Sequence, residues 1–283
     1  MRRSILCPII LLWGIPVGAL HAGTLTGTVV DAGTGKSLPA RVYVRSETGT
    51  WHFVKSAAKD GSAIEYRKRR GMNSVEMHTT ISAGPFTVEL PAGKYAVTIE
   101  RGKEYHSLSR NVTIGNDPVK VRFRLIRWID MAKRGWYSGD THVHRSVAEL
   151  PNAMLAEDLN VALPLTHWVT RAYVPPTKGD KNSDADKDPR PIAVDKTHVI
   201  YPLNTEYELF TVNKRRHTLG AVFVLNHKKP LPMGAPPVAP IAAAARKQGA
   251  ILDLDKHSWP WSLMLVPVMN VDLFELTHNH IWR

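Results

Sequence analysis

The stretch YSGDTHVHRSVAELPNAMLAEDLNVALPLTHW, residues 137–168, determines the fold class expected for the C-terminal half of the chain. It begins with a short strand-like run, continues with a helical run that has Pro151 in its first turn, and ends with a second apolar run. Ser146 and Glu149 have the spacing of a helix capping box. Strand, helix and strand in this order predict a βαβ unit, and therefore a parallel sheet or barrel.

The rest of the C-terminal half also consists of strand-like runs, a helical run and a loop. A polar segment over residues 170–196 predicts a long loop, and an alanine-rich run ending at Gly249 predicts a further helix. The remaining apolar runs predict buried strands: VIYPLNTEYEL (199–209), TLGAVFVLNH (218–227), AILDLDKH (250–257) and VDLFELTH (271–278).

The N-terminal half instead alternates apolar and polar residues with a period of two. Turn sequences such as AGTGKSLP and GNDP separate the alternating runs. Six or seven short strands at this spacing predict an antiparallel β-sandwich. The clearest strand-like runs are TLTGTVVD (24–31), ARVYVRS (40–46), PFTVEL (85–90), KYAVTIE (94–100), SRNVTI (109–114) and VKVRFRL (119–125).

The first 22 residues have the pattern of a secretory signal peptide. Arg2 and Arg3 precede an apolar stretch, and small residues near Ala22 offer a cleavage site. We therefore expect an exported protein, periplasmic or extracellular, with no membrane span after cleavage. The single cysteine, Cys7, lies within this segment, so any metal in the mature chain must be held by His, Asp or Glu.

The chain is basic, with a formal net charge of +12. This charge suits an anionic substrate or surface without requiring nucleic acid, and we expect a small-molecule partner and no nucleic acid. The tightest basic run, YRKRRG at residues 66–71, is typical of a solvated loop.

Histidines are concentrated in the C-terminal half, where nine of the thirteen lie between residues 142 and 280. On a strand, Asp140, His142 and His144 share one face. His142 and His144 therefore form either a surface pattern or the first half of a metal site. Further candidate ligands lie at or near the ends of the later strands, where active sites of parallel barrels form: His167, Glu206, His217 and His257.

Two family resemblances accompany these patterns. The runs GTVVDAGTGKSLPARVYV (27–44) and FTVELPAGKYAVTIERGKEY (86–105) resemble the carboxypeptidase-regulatory-like, or transthyretin-like, β-sandwich. That resemblance implies an accessory module over residues 23–126. The segment Gly139-Asp140-Thr141-His142-Val143-His144 resembles the opening motif of the polymerase-and-histidinol-phosphatase (PHP) superfamily of metal-dependent hydrolases, in particular the carbaryl-hydrolase-like branch.

The PHP resemblance implies a distorted β/α barrel over residues 127–283 and two or three divalent ions, zinc, manganese or iron. It implies catalytic roles for Asp140, which would orient a ligand histidine, and for Glu206, which would bridge the ions. It assigns the metal ligands by order along the chain: His142, His144, His167, Glu206, His217 and His257.

The sequence departs from the family in three places. Thr166 stands where the family has aspartate, and Ser258 follows His257 where proline is usual. The closing Asp-x-His pair is not found before Arg283, so we expect an incomplete barrel and a truncated C-terminus. His278 and His280 form a second His-x-His that either substitutes for the pair or lies at the surface.

Two functions follow from these patterns. The first is an exported metal-dependent hydrolase of ester or phosphoester bonds, in which an ion-activated water attacks the substrate. Arg145, Arg171 and Lys228 lie near the predicted mouth and would suit an anionic substrate. The alternative is a non-catalytic secreted surface or glycan-binding protein, whose barrel is degenerate and whose β-sandwich is the working part.

Overall fold

A computed structural model describes residues 22–69, 72, 75–169, 171–179, 188–208, 220–255 and 262–276. The predicted signal peptide therefore lies almost wholly outside the described residues, and so do His217, His257, His278 and His280. Predictions at those positions remain predictions.

The N-terminal part is a β-sandwich of ten strands. One sheet has the order β10-β1-β7-β4, and the other has the order β5-β6-β2-β8-β9 with β3 paired to β2. The strands are β1 (Ala22–Asp31), β2 (Ala40–Ser46), β3 (Trp51–His52), β4 (Lys55–Ser56), β5 (Ala63–Arg69), β6 (Val75–Ile81), β7 (Pro85–Pro91), β8 (Gly93–Glu100), β9 (Leu108–Ile114) and β10 (Val119–Leu125).

Alternating burial along each strand builds the core of the sandwich. In β1, Leu25 and Val29 point inward, and on the two strands that flank β1 in the same sheet the rings of Phe86 and Phe123 stack with centroids 6.2 Å apart. All six strand-like runs of the sequence form strands, so the predicted sandwich is confirmed. It is not wholly antiparallel, because β1 and β10 pair in parallel.

The sequence pattern did not predict the hairpin formed by β5 and β6. Residues 66–69 of the basic run belong to β5, which lies at the edge of its sheet, so the solvated-loop interpretation is wrong there. An edge strand tolerates charged side chains because one face and one edge remain in water. For that reason its sequence resembles a loop.

The C-terminal part combines a sheet with three short helices. Its elements are β11 (Gly139–Val143), α1 (Leu150–Glu157), β12 (Val161–Val169), β13 (Thr177–Lys178), β14 (Ile192–Ala193), β15 (Val199–Ile200), β16 (Asn204–Tyr207), β17 (Ala221–Leu225), α2 (Ala239–Lys247), β18 (Ile251–Asp255), α3 (Leu265–Met269) and β19 (Leu273–Phe274). Within the described ranges, no helix is long and apolar enough to cross a membrane.

The predicted βαβ unit is present, because β11 and β12 pair in parallel and α1 connects them. The whole sheet is mixed, with the order β14-β15-β12-β16-β17-β18-β19 and with β11 and β13 paired to β12. Strand β12 pairs in parallel with β11, β15 and β16, but β17 is antiparallel to both β16 and β18, so the predicted parallel sheet is confirmed only in part. Every residue of β17 is buried, and a continuous apolar run does not encode strand direction.

Both predicted helices form. Pro151 lies in the first turn of α1, and α2 is followed by Gly249 in the left-handed conformation, with φ +71°. The predicted capping box is only partly formed, since α1 begins at Leu150 rather than after Ser146. The Ser146 hydroxyl instead accepts the Glu149 N–H at 3.3 Å, in the turn before the helix.

An ionic network joins the sandwich to α1. The Arg101 guanidinium lies 2.5 Å from the Asp158 carboxylate and also donates to the carbonyls of Pro39 and Leu155. Arg127 binds the other oxygen of Asp158 at 2.7 Å. Both side chains of the Arg101–Asp158 pair are largely buried, so the network fixes the C-terminal end of α1 against the sandwich.

Removing one partner of this buried pair should be costly. We expect Arg101→Ala to lower the free energy of unfolding by about 3–5 kcal/mol, because it removes one of the two cations that balance the Asp158 carboxylate. Urea unfolding measures the change. The exposed Arg67–Glu65 pair provides the control, and Arg67→Ala should cost less than about 1 kcal/mol. Equal costs for the two variants would contradict this assignment.

A buried histidine lies on the face of the sandwich that α1 covers. The His78 ring is 4% exposed, and its centroid lies 5.0 Å from those of Tyr43 and Tyr66. Burial lowers the pKa of His78 to about 4, and the positive charges of Arg41 and Arg145 add to the effect. The imidazole is therefore neutral in the folded protein near pH 7.

The lowered pKa predicts a specific loss of stability in acid. Between pH 6.5 and 4 the unfolded chain binds a proton at His78 that the folded chain does not bind, so the free energy of unfolding falls as the pH falls. When the pH falls from 7 to 4.5, the free energy of unfolding of the wild type should decrease by roughly 2 kcal/mol more than that of His78→Phe. Urea unfolding at both pH values measures this. His106→Phe, at an exposed histidine, is the control, and its free energy of unfolding should decrease as much as that of the wild type. An equal decrease in His78→Phe and the wild type would contradict the prediction.

Candidate metal centre

The predicted histidine pair lies at the C-terminal end of β11. The Nε2 atoms of His142 and His144 are 3.1 Å apart, and the ring centroids are 5.1 Å apart. The two rings converge because residues two apart on a strand point to the same face. The histidine pair thus presents two imidazole nitrogens to one point in space.

Glu206 completes this group from β16, a central strand of the sheet. Its carboxylate is fully buried, with one oxygen 3.0 Å from His144 Nε2 and the other 3.9 Å from His142 Nε2. The ligand atoms of these three residues all lie within 4.8 Å of one another. The structure therefore brings together His142, His144 and Glu206, three of the predicted ligands.

Asp255 lies behind His142, at the end of β18. Its Oδ2 is 3.1 Å from His142 Nδ1, on the side of the ring that faces away from the other donors. A carboxylate beside Nδ1 favours the proton on that nitrogen, which leaves the Nε2 lone pair directed at the group. This is the arrangement found behind metal-binding histidines.

Further carboxylates lie around Asp255. Burial raises the pKa of Asp253, and burial together with the charges of Asp255 and Asp253 raises the pKa of Glu275 to about 7. Glu275 also accepts a hydrogen bond from the Thr141 hydroxyl at 2.8 Å. This side of the site is strongly electronegative and would stabilise a cation.

The sequence reading missed these acidic residues. The signal was present in AILDLD (250–255), where two aspartates alternate with apolar residues at the end of a buried strand. Such aspartates are rarely buried without a partner. The ligand predicted from this strand, His257, is two residues further along the chain and lies outside the described residues.

Two aromatic side chains flank the histidines. The Phe223 ring lies 4.8 Å from His142, and the Trp168 ring lies 5.1 Å from His144, centroid to centroid. Phe223 is fully buried. Phe223 packs against His142 from the buried side, whereas the His144 side chain is 39% exposed and remains accessible from solvent.

His167 has different neighbours from the histidine pair. It is buried on β12 next to Trp168, and successive residues on a strand point to opposite faces. Its ring lies 6.2 Å from that of His227, whose Nε2 is 2.8 Å from the Thr205 hydroxyl. The histidine nearest to His167 is therefore His227, which was not among the predicted ligands. The role of His167 as a metal ligand stays a prediction.

Asp140 is exposed, and its carboxylate accepts the backbone N–H of His142 at 2.9 Å. It fixes the backbone of the motif, whereas Asp255 is the carboxylate beside the His142 ring. Of the three basic residues expected near the mouth, Arg145 lies over the Tyr66 ring, 3.8 Å from its centroid, while Arg171 and Lys228 are exposed.

The donor set fits a divalent ion. Two imidazole nitrogens and a carboxylate are ligands that zinc, manganese and iron accept. Two ligand atoms bound to one tetrahedral zinc ion lie about 3.3 Å apart. The distances between the donor atoms, 3.0, 3.1 and 3.9 Å, bracket that value. Within the described ranges, this is the one group of three such side chains close enough to share an ion.

Comparison with known proteins does not assign the chain to a family. No protein-family model matches it, and no curated protein sequence matches it. Several solved structures match, and those compared below each cover 37–38% of the chain.

Three of these structures are bacterial proteins. The pilus 2b backbone protein of group B streptococcus is 20% identical over 37% of this chain and 41% of its own, with a TM-score of 0.27. The Bacillus anthracis TIE protein is 19% identical over 38% of this chain and 17% of its own, with a TM-score of 0.24. The C-terminal domain of the shaft pilin SpaA from Lactobacillus rhamnosus GG is 14% identical over 38% of this chain and 98% of its own, with a TM-score of 0.25. Similarity at this level carries no inference about function.

The position of Asp255 predicts its effect on metal affinity. Asp255→Asn keeps the shape of the side chain and removes the charge beside His142 Nδ1, so we expect zinc affinity to fall about 10- to 100-fold. Competition with a fluorescent zinc chelator measures the affinity. Asp117→Asn, at an exposed aspartate in the sandwich, should leave the affinity unchanged. An unchanged affinity in Asp255→Asn would show that Asp255 does not position the ring.

Proposed function

We propose that this protein is an exported metal-dependent hydrolase of ester or phosphoester bonds. The observation that carries the proposal is the convergence of His142 Nε2, His144 Nε2 and the buried Glu206 carboxylate within 4.8 Å. A site with this donor set, lined by aromatic rings, is suited to holding a catalytic cation. The signal peptide predicted for residues 1–22 supports a location outside the cytoplasm.

The roles of the chain's own residues follow from their positions. His142, His144 and Glu206 would hold the ion, which supplies a water molecule of lowered pKa and a Lewis acid for the substrate C=O or P=O. Asp255 keeps the proton of His142 on Nδ1, and Asp140 fixes the backbone of the motif. Phe223 and Trp168 pack against the two imidazole rings and restrict their orientation.

Membership of the PHP superfamily is part of this proposal. The opening motif, the βαβ unit that carries it and the placement of Glu206 beside the two histidines support it. The distorted barrel and a second or third ion remain part of the proposal too, as does the relation of the sandwich to carboxypeptidase-regulatory-like modules. His167, His217 and His257 would supply the further ligands.

Metal content tests the proposal first. We expect the purified protein to carry at least one equivalent of zinc, manganese or iron by plasma mass spectrometry, and the double variant His142→Ala/His144→Ala to lose it, because two of the three donors are removed. His106→Ala, at an exposed histidine, should keep the metal. Circular dichroism checks that each variant is folded.

Hydrolysis of p-nitrophenyl acetate and p-nitrophenyl phosphate then tests activity. The metal-loaded wild type should hydrolyse at least one of the two, and the double variant should fall to the rate of buffer containing the same metal. A folded wild type that binds no metal would refute the hydrolase and favour the alternative, a non-catalytic secreted surface or glycan-binding protein whose β-sandwich is the working part.

A further inference from the structure

A cavity of about 690 Å³ lies between the β-sandwich and the βαβ unit. Its size is within the range of small-molecule sites. His142 and His144 line it on one side, and Tyr66 and His78 of the sandwich line it on the other. The cavity therefore extends from the candidate metal centre to a wall that the sandwich provides.

Apolar side chains form much of the lining. Val143, Leu150 and Met154 are buried residues of the hydrophobic cluster under α1, and Leu159 packs against them. The Trp128 side chain, which is 57% exposed, lies on the same cavity. Such a lining stabilises an apolar ligand group by removing it from water.

Two of the cations in the lining are each paired with a carboxylate. Arg41 lies 2.8 Å from the Glu157 carboxylate, and Arg145 lies 3.7 Å from that of Glu76. The lining contains the cations Arg41, Lys103 and Arg145 and the carboxylates Glu76, Glu104, Asp140, Glu157 and Asp158. Carboxylates thus outnumber cations, so the cavity offers no excess positive charge to a negatively charged ligand.

His78 provides a buried polar anchor in this lining. Its Nδ1 is shielded from solvent and has no hydrogen-bond partner among the described residues. Because the ring is neutral, a turn of the side chain that brings this nitrogen to the cavity lets it form one hydrogen bond with a ligand hydroxyl or carbonyl without introducing a charge. A buried polar atom of this kind is stabilised when a ligand supplies the partner.

We propose that this cavity binds the uncharged apolar portion of the substrate, an aryl or alkyl group carrying a single hydroxyl or carbonyl. The inference rests on the proposed function, because it makes the β-sandwich a wall of the substrate site. The scissile bond would lie at His142 and His144, and the apolar group of the substrate would extend from it into the cavity. Tyr66 and His78 would then determine specificity for that apolar group.

Fluorine NMR with 4-fluorobenzyl alcohol tests the proposal on the full protein, both with zinc and after treatment with a chelator. We expect binding with a Kd on the order of 1 mM, and weaker binding of the anionic analogue 4-fluorobenzoate. Ala153 lines the cavity from α1, and Ala153→Phe fills the space, so the Kd should rise at least about tenfold. Ala243→Phe, at an exposed position of α2, is the matched control and should bind as the wild type does.

His78→Phe provides a second variant that keeps the ring and removes the polar atom. It should weaken binding of the alcohol about fivefold, which keeps the proposal testable if Ala153→Phe fails to fold. Undetectable binding to the wild type, tighter binding of the benzoate, or an unchanged Kd in the folded Ala153→Phe variant would each overturn the proposal. If the folded wild type binds no metal when zinc is supplied but still binds the alcohol, the cavity proposal stands and the hydrolase alone is refuted.

Discussion

The buried contact of Arg101 with Asp158 holds the two parts of the molecule in one arrangement. Arg101 lies at the end of the sandwich strand β8, and Asp158 lies directly after α1, so the ion pair fixes the βαβ unit against the sandwich. Arg127 adds a second bond to the same carboxylate, and Glu104 neutralises Arg127 in turn. A buried pair is favourable only when its partners are held in register, which makes the contact specific for one docking geometry.

The proposed site depends on that docking. His142 lies in β11 and His144 directly after it, and a short connection joins them to α1, so fixing the end of α1 also fixes where His142 and His144 meet Glu206. The same docking encloses the cavity between His78 and the histidine pair. Under the proposals made for this site, one interface would set the geometry of the metal centre and would shape the pocket beside it.

Local pattern was enough to predict much of the architecture. Alternation identified six strands of the sandwich, and strand–helix–strand order identified the βαβ unit with the helix of Pro151. Local pattern did not predict two strands correctly. The edge strand β5 has the charged sequence of a loop, and the sequence of the fully buried strand β17 does not indicate its direction. Spacing of two on a strand was a sound guide for His142 and His144, because that periodicity is a property of the extended backbone itself.

The sequence by itself determined that two imidazoles share one face of a strand and that a carboxylate follows on a later strand. Only the tertiary structure decided that Glu206 is the carboxylate beside the pair, that Asp255 rather than Asp140 lies beside the His142 ring, and that His167 has His227 as a neighbour. These relations join residues more than sixty positions apart in the first two cases and sixty in the third. Strand order and docking set such distances, and no short-range periodicity records them.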